Sequence, residues 1–374
     1  MSRAVCGTAL AWLRLNAAAG LGPDRLRELA GRVGLDAAAS APARELGAAG
    51  GLSPRHAAAL QEALGSFEPE RELQAALDLG LRVLAWDEPD FPQALRSVAD
   101  APLILYVWGC LEPGRDALAV VGSRTPTPYG RRMARSLARE AASRLVVVSG
   151  LARGIDSEAH RAALEAGGTT WAVLGSGLRR LYPPENAALA HEIASSGGCL
   201  MSEFLLDAPP LPGHFPRRNR VVAGLSWGTV VVEGRDKSGS LITARLAAEQ
   251  GREVFAVPGP ADSPLSEATF RLISEGAKPV RSFADILPEL PPSCRQAAPG
   301  ARRAEAPAAG PGIFPLAPEH GKILELLGSE TRSFEELGRE SGLDAAGLTR
   351  ILFEMELQDL IEPVPGQRYA KKTS

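Results

Sequence analysis

The chain has 374 residues, 45% hydrophobic and 23% charged, a composition that excludes collagenous, fibrous and wholly disordered classes and leaves room for two or three domains. Its formal net charge of -3 excludes blanket attraction to polyanions, so any nucleic-acid reading needs a local concentration of positive charge. Cys6, Cys110, Cys199 and Cys294 lie far apart without a CxxC pair, which excludes a disulfide framework and a zinc spacing and fits a reducing cytoplasm.

Residues 1 to about 105 read as short helices broken by Gly and Pro, at Leu10–Leu15, Asp24–Val33 and Pro54–Leu64. Ala4–Leu13 is Ala-rich, only weakly apolar and followed at once by Arg14, so it reads as a first helix and not as a signal peptide. No apolar run approaches the roughly 18 residues of a membrane span. The turn Gly20-Leu21-Gly22-Pro23 fits two readings, a helix-hairpin-helix whose amides hold a phosphate or a plain helical bundle.

From about Ala117 to Leu287 the pattern changes to short apolar runs, each followed by a Gly/Ser-rich turn and a helical period. Strands are predicted at Leu118–Val121, Leu145–Val148, Thr170–Leu174, Val230–Val232 and Glu253–Val257. Continuous apolar strands alternating with helices mean an α/β, Rossmann-like fold, a parallel sheet covered on both faces with its ligand site outside the carboxyl ends of the strands. Residues 288–318, rich in Pro and Ala, read as a flexible linker. The segment 319–374 carries three helical periods and a hairpin, the pattern of a winged helix. Its presumed recognition helix holds Arg350 but also Glu354, Glu356 and Asp359, which favours partner docking over duplex reading.

The turns carry the function. Local positive charge exists between Arg115 and Arg153, where eight arginines face only Asp116 and Glu140. The first turn holds Gly122, Ser123 and Arg124 before a helix start, an anion-binding arrangement that lacks both the G-x-G-x-x-G of dinucleotide folds and the Gly-Lys-Ser/Thr of a P-loop. The second holds Gly150, Arg153 and Gly154, with Asp156 or Ser157 placed to cap the next helix. His160, one turn into that helix, reads as a core histidine. The third turn, Gly175-Ser176-Gly177 with Tyr182 beyond it, adds amides to the same edge. Phe215 beside Arg217, Arg218, Asn219 and Arg220 offers a stacking face for a base and forks for successive phosphates, the means by which sequence-tolerant single-strand binders work. A fourth loop brings Lys237, Ser238, Gly239 and Ser240 to another helix start. No catalytic, metal or cofactor constellation is read.

Six motifs in order make the chain resemble the DprA/Smf family (DNA-processing protein A): Gly-Ser-Arg at 122–124, Ser-Gly-Leu-Ala-Arg-Gly-Ile-Asp at 149–156, Tyr-Pro-x-x-Asn at 182–186, Phe-Pro-x-Arg-Asn-Arg at 215–220, Ser-Gly-Ser-Leu-Ile-Thr-Ala at 238–244 and Phe-Ala-Val-Pro-Gly at 255–259. The resemblance implies a helical module at 1–84, an extended Rossmann-like domain at 85–287 that binds single-stranded DNA, and a winged-helix tail. It implies a homodimer that protects incoming strands and loads the RecA recombinase during natural transformation, with the single-stranded-DNA-binding protein SSB as a further partner. One departure is Ala268-Thr269-Phe270 where the family has Gly-Thr-Asn; nearby Phe270, Leu272 and Ile273 are taken as a self-association patch. The rival reading is an enzyme of the LOG (lysine-decarboxylase-like) group, which cleaves nucleoside monophosphates, but that group's Pro-Gly-Gly-x-Gly-Thr-x-x-Glu run is missing here.

Overall fold

The computed structural model describes residues 3–17, 21–40, 42–295, 318–327, 331–357, 361–364 and 368–371. The chain forms two compact units, Met1–Pro311 and Gly312–Ser374. No described helix is long and apolar enough to cross a membrane.

The first unit opens with α1 (Arg3–Asn16), α2 (Pro23–Val33), α3 (Leu35–Ser40), α4 (Ala43–Gly50), α5 (Pro54–Ser66) and α6 (Pro69–Asp78). Proline stands in the first turn of α2, α5 and α6, where its missing N–H leaves no helical bond unmade. Gly22 precedes α2, while Gly20 of the expected turn lies outside the described residues. Polar contacts fasten these helices to the sheet. Glu72 accepts from the Tyr106 hydroxyl at 2.9 Å and the Leu206 amide at 2.8 Å, and Asn16 donates to the Glu203 carbonyl at 3.0 Å.

Nine strands follow: β1 (Arg82–Ala85), β2 (Ile104–Gly109), β3 (Ala117–Val121), β4 (Val146–Ser149), β5 (Thr170–Val173), β6 (Cys199–Ser202), β7 (Gly228–Val231), β8 (Glu253–Ala256) and β9 (Lys278–Pro279). Among them run α7 (Gln93–Arg96), α8 (Pro128–Ala141), α9 (Ile155–Glu165), α10 (Ala187–Ser195), α11 (His214–Gly224), α12 (Gly239–Glu249), α13 (Glu267–Ser274), α14 (Phe283–Ile286) and α15 (Pro292–Arg295). The strands lie in the order β1-β2-β6-β5-β4-β3-β7-β8-β9. Helices cover both faces, so β3 and β4 are buried along their whole length and need the unbroken apolar runs they have. One core layer sets Leu95, Val221, Val222 and Ala244 against the sheet, and the other sets Leu137, Ala159, Phe283 and Ile286.

Three expectations change. The sheet is not wholly parallel: β1 pairs antiparallel with β2, and β2 antiparallel with β6, within or beside a stretch expected to be helical. β1 also crosses the boundary placed at 84/85. The expected linker loses its first residues, because Leu290 and Cys294 are buried in the core; residues 296–317 lie outside the described residues.

Strand order reverses beside β3, with β4, β5 and β6 on one side and β7, β8 and β9 on the other. In an open parallel sheet such a reversal opens a crevice at the carboxyl ends, here between β3 and β7.

The second unit contains α16 (Pro318–Leu327), β10 (Arg332–Ser333), α17 (Phe334–Ser341), α18 (Ala345–Leu357), β11 (Ile361–Val364) and β12 (Arg368–Lys371), with strands in the antiparallel order β10-β12-β11. Ser333 and Glu336 form a reciprocal capping box at the start of α17, and Gly342 ends it in the left-handed conformation at φ 75°. Ile323, Leu337, Leu348 and Ile351 form its core, giving the three helices and hairpin of a winged helix.

Candidate nucleic-acid interface

The crevice between β3 and β7 holds a cavity of about 640 Å³, walled by the turns after β3, β4 and β7 and by the starts of α11 and α12. On the helical period, Phe215, Arg218, Asn219 and Val222 share one face of α11, and all four line the cavity. Ser123 and Arg124 enter from β3, Gly150 and Ala152 from β4, and Lys237, Ser238, Gly239 and Ser240 from the turn into α12.

The Phe215 ring packs on Gly175 so closely that a Cβ there would come within 2.8 Å of it. The Arg124 guanidinium carbon lies 5.6 Å from the Phe215 ring centroid, within cation–π range. Tyr182 also stands beside the Phe215 ring, with ring centroids 5.7 Å apart and 56° between planes. Tyr182 is 39% exposed, so the edge presents two neighbouring rings to solvent. A small recess joins them to Arg124, Arg153 and Gly175.

Arg218 is the floor. It is 5% exposed, donates to the carbonyls of Gly150 and Val173, and reaches Asn219 Oδ1 at 3.1 Å. Burial pulls its guanidinium down to about 10, opposed by the nearby Asp156 carboxylate. Gly150 must lack a side chain, since a Cβ would sit 2.1 Å from Arg218 Nη1.

Two anion-binding positions at this edge are filled from within. The buried Glu233 carboxylate, just past β7, accepts from the Thr127 amide at 2.9 Å and from the Thr127 hydroxyl, and so sits at the start of α8. Asp156 Oδ2 accepts from the amides of Gly150 at 3.1 Å and Ala152 at 3.3 Å. Burial raises the Asp156 carboxyl above its usual range, and Arg218 and these amides oppose the rise. The start of α12 differs: no side chain caps it, and the exposed Arg235 and Lys237 stand beside it.

The turn after β4 is strained. Leu151 has φ 56°, the one positive value among the described non-glycine residues, a conformation costing about 1 to 3 kcal/mol. It is held by Asp156, by Ser157 donating to the Ala152 carbonyl at 2.6 Å, and by Asn186 donating to the Leu151 carbonyl at 2.8 Å.

Residues 82–291 match the family model described as DNA recombination-mediator protein A, and residues 305–367 match the DprA winged helix domain. Protein Smf of Escherichia coli (strain K12) is 40% identical over 75% of each chain. The DNA processing protein DprA of Bacillus subtilis is 42% identical over 63% of this chain and 80% of its own. The chain belongs to the DNA recombination-mediator protein A family. Among solved structures, DprA from Streptococcus pneumoniae superposes with a TM-score of 0.65 at 34% identity, covering 74% of this chain and 96% of its own. DprA from Helicobacter pylori, whose structure addresses a single-stranded DNA binding mode, has a TM-score of 0.51 at 31% identity over 56% of this chain and 97% of its own. The family is one of recombination mediators, not of enzymes.

The family's edge gathers most, but not all, of the residues the sequence singles out. Arg217 and Arg220 are three apart on the helix, so both turn away from the cavity. Arg220 is buried against Glu203, and Arg217 Nε donates to the same carboxylate at 3.1 Å while its guanidinium covers Phe204. Ser176 and Gly177 are buried behind the edge, where a Cβ on Gly177 would meet the Leu205 carbonyl at 2.1 Å. Gly154, at φ 76°, lies against the Ser123 carbonyl, where a Cβ would come within 2.4 Å. Arg153 is exposed and paired with Glu185. Much of the Arg115–Arg153 charge is spent elsewhere: Arg131, Arg135 and Arg139 on α8 pair with Glu158 and Glu165 on α9. On α13, Phe270 is 39% exposed and Ile273 half-buried, but Leu272 packs into the core and leaves the proposed patch. Ala268 and Thr269, the departure from the family pattern, are buried in this regular helix, and the Ala268 amide donates to the Gly234 carbonyl at 3.0 Å.

Sequence reading missed Tyr182 and Arg235 as site residues. The signal for the first was an aromatic followed by two prolines in a turn at the right edge; the second stands within the fourth loop itself, two residues before Lys237.

His160 is fully buried, with Nδ1 2.7 Å from Thr170 Oγ1, and burial lowers its pKa from 6.5 to about 3. A histidine kept neutral in the fold contributes stability above its unfolded value of 6.5, and that contribution is lost as pH falls from 6.5 toward 3. Urea unfolding is therefore expected to lose roughly 3 kcal/mol to this residue between about pH 7 and pH 4. In His160→Gln the pH dependence should flatten over that window; an unchanged slope would contradict the assignment.

Proposed function

We propose that the carboxyl edge of the sheet binds single-stranded DNA, and that the chain works as a non-catalytic mediator in the cytoplasm that protects the strand and passes it to RecA during natural transformation. One observation carries this reading: Phe215, which lines the cavity, and Tyr182, which lines the small recess adjoining it, stand side by side with Arg124 over the first ring. Rings accept any base by stacking, at about 1 to 3 kcal/mol each, and the flanking cations follow the backbone. The proposed contacts are Ser123, Arg124, Arg153, Phe215, Asn219, Lys237, Ser238, Gly239 and Ser240, joined by Tyr182 and Arg235, with Gly122, Gly150, Gly154, Gly175 and Arg218 shaping the floor. The single-stranded DNA binding mode of the Helicobacter pylori relative supports this reading.

The same reading takes the N-terminal helices, the sheet with the helices that cover it, and the winged helix as working modules, with SSB as a further partner. It takes Phe270 and Ile273 as part of a self-association surface between two copies.

Oligo-dT is expected to bind with micromolar or tighter affinity and with length dependence. Single strands lose affinity with a logarithmic salt slope of about -0.7 per neutralised phosphate, so four cations predict a slope near -3. Filter binding at several salt concentrations measures it, and preference for duplex over oligo-dT would overturn the reading. RecA filament formation on SSB-coated strands, with and without the protein, tests the mediator step.

A further inference from the structure

We propose that Asn186 is a positioning residue for strand binding, fastening the segment that carries Tyr182 to the turn at Leu151 and thereby holding the Tyr182 ring beside Phe215. The proposal rests on the edge binding single strands as read above. Asn186 ends the short helical turn that follows Tyr182, and it is 4% exposed. Its Nδ2 group makes two bonds that cross to other elements, to the Leu151 carbonyl at 2.8 Å and to Ser157 Oγ at 3.0 Å.

These bonds serve the two segments unequally. The Leu151 turn keeps three further ties without Asn186, two amides on Asp156 and the Ser157 bond to Ala152. The Tyr182–Asn186 segment is tied across to that turn by Asn186 and by the exposed Arg153–Glu185 pair. An exposed ion pair is a weak tether. Losing the amide therefore loosens the ring and leaves the phosphate-facing groups in place, so the effect falls on base stacking.

The test is a double-mutant cycle between Asn186→Ala and Tyr182→Ala, read by fluorescence anisotropy on oligo-dT and on an abasic strand of the same length. Asn186→Ala is expected to weaken oligo-dT binding by about tenfold, near the lower end of what one stacked base contributes, and to change abasic-strand binding by less than about twofold. Added to Tyr182→Ala it should cost nothing more. Equal losses on both strands, additivity with Tyr182→Ala, or no loss on oligo-dT would each overturn the proposal. Should Asn186→Ala not give folded protein by thermal melting, Asn186→Ser, too short to span to the Leu151 carbonyl, takes its place in the same cycle. A wild-type chain that binds neither strand refutes the underlying reading; a wild type that binds oligo-dT beside an indifferent Asn186 variant refutes this proposal alone.

Discussion

Arg124→Ala is expected to weaken oligo-dT binding by about 1.5 to 3 kcal/mol, roughly 10- to 150-fold, with the fold intact. The residue is exposed at the end of β3 and lines the cavity, so its guanidinium is available to a phosphate without disturbing the core. It also lies over Phe215, and removing it costs the ring a cation–π contact of about 0.5 to 1 kcal/mol. Arg124→Lys retains the charge but not the planar fork and should recover only part of the loss. Anisotropy titrations at fixed salt measure all three proteins. An Arg124→Ala protein that binds like wild type would remove the cavity mouth from the strand's path.

Arg220→Met separates a structural arginine from a binding one. Arg220 is 5% exposed and Glu203 2%, and the two are paired. Deleting one partner of a buried pair costs about 3 to 5 kcal/mol because the remaining charge stays desolvated. The lower figure is expected here, since Arg217 still reaches Glu203. Urea unfolding should show the loss, and Glu203→Gln in the same chain should restore much of it. Binding of the folded protein should be unchanged. Loss of affinity at full stability would return Arg220 to the interface.

The contrast between these arginines marks how far the sequence was legible. Strands buried on both faces announce themselves as unbroken apolar runs, so β3, β4, β5, β7 and β8 were readable and with them the edge where the site lies. β6, Cys-Leu-Met-Ser, has no β-branched residue, and β2 followed a stretch of helical periods, so neither stood out. At the site, Phe215 and Arg124 were visible as residue types suited to bases and phosphates. What was not visible was that His214–Gly224 is a helix, and a helix sends neighbouring arginines to different faces. Of the acids that neutralise Arg217 and Arg220, Glu203 is a neighbour 14 and 17 residues upstream, legible as a partner for a basic run, whereas Asp100 is distant in sequence and brought near only by the fold. Tyr182 depended likewise on where a loop returns.

The placement of Glu233 and Asp156 bears on which ligands the crevice turns away. A mononucleotide presents its charge at one point, and two of the three anion-accepting positions at this edge, the start of α8 and the amide pair after β4, already hold carboxylates of the chain itself, which leaves the start of α12. A polymer distributes its charge along a rim of arginine and lysine and asks little of any single spot. Abundant cellular nucleotides should therefore compete poorly, and the edge would sort its ligands by length before any base is touched.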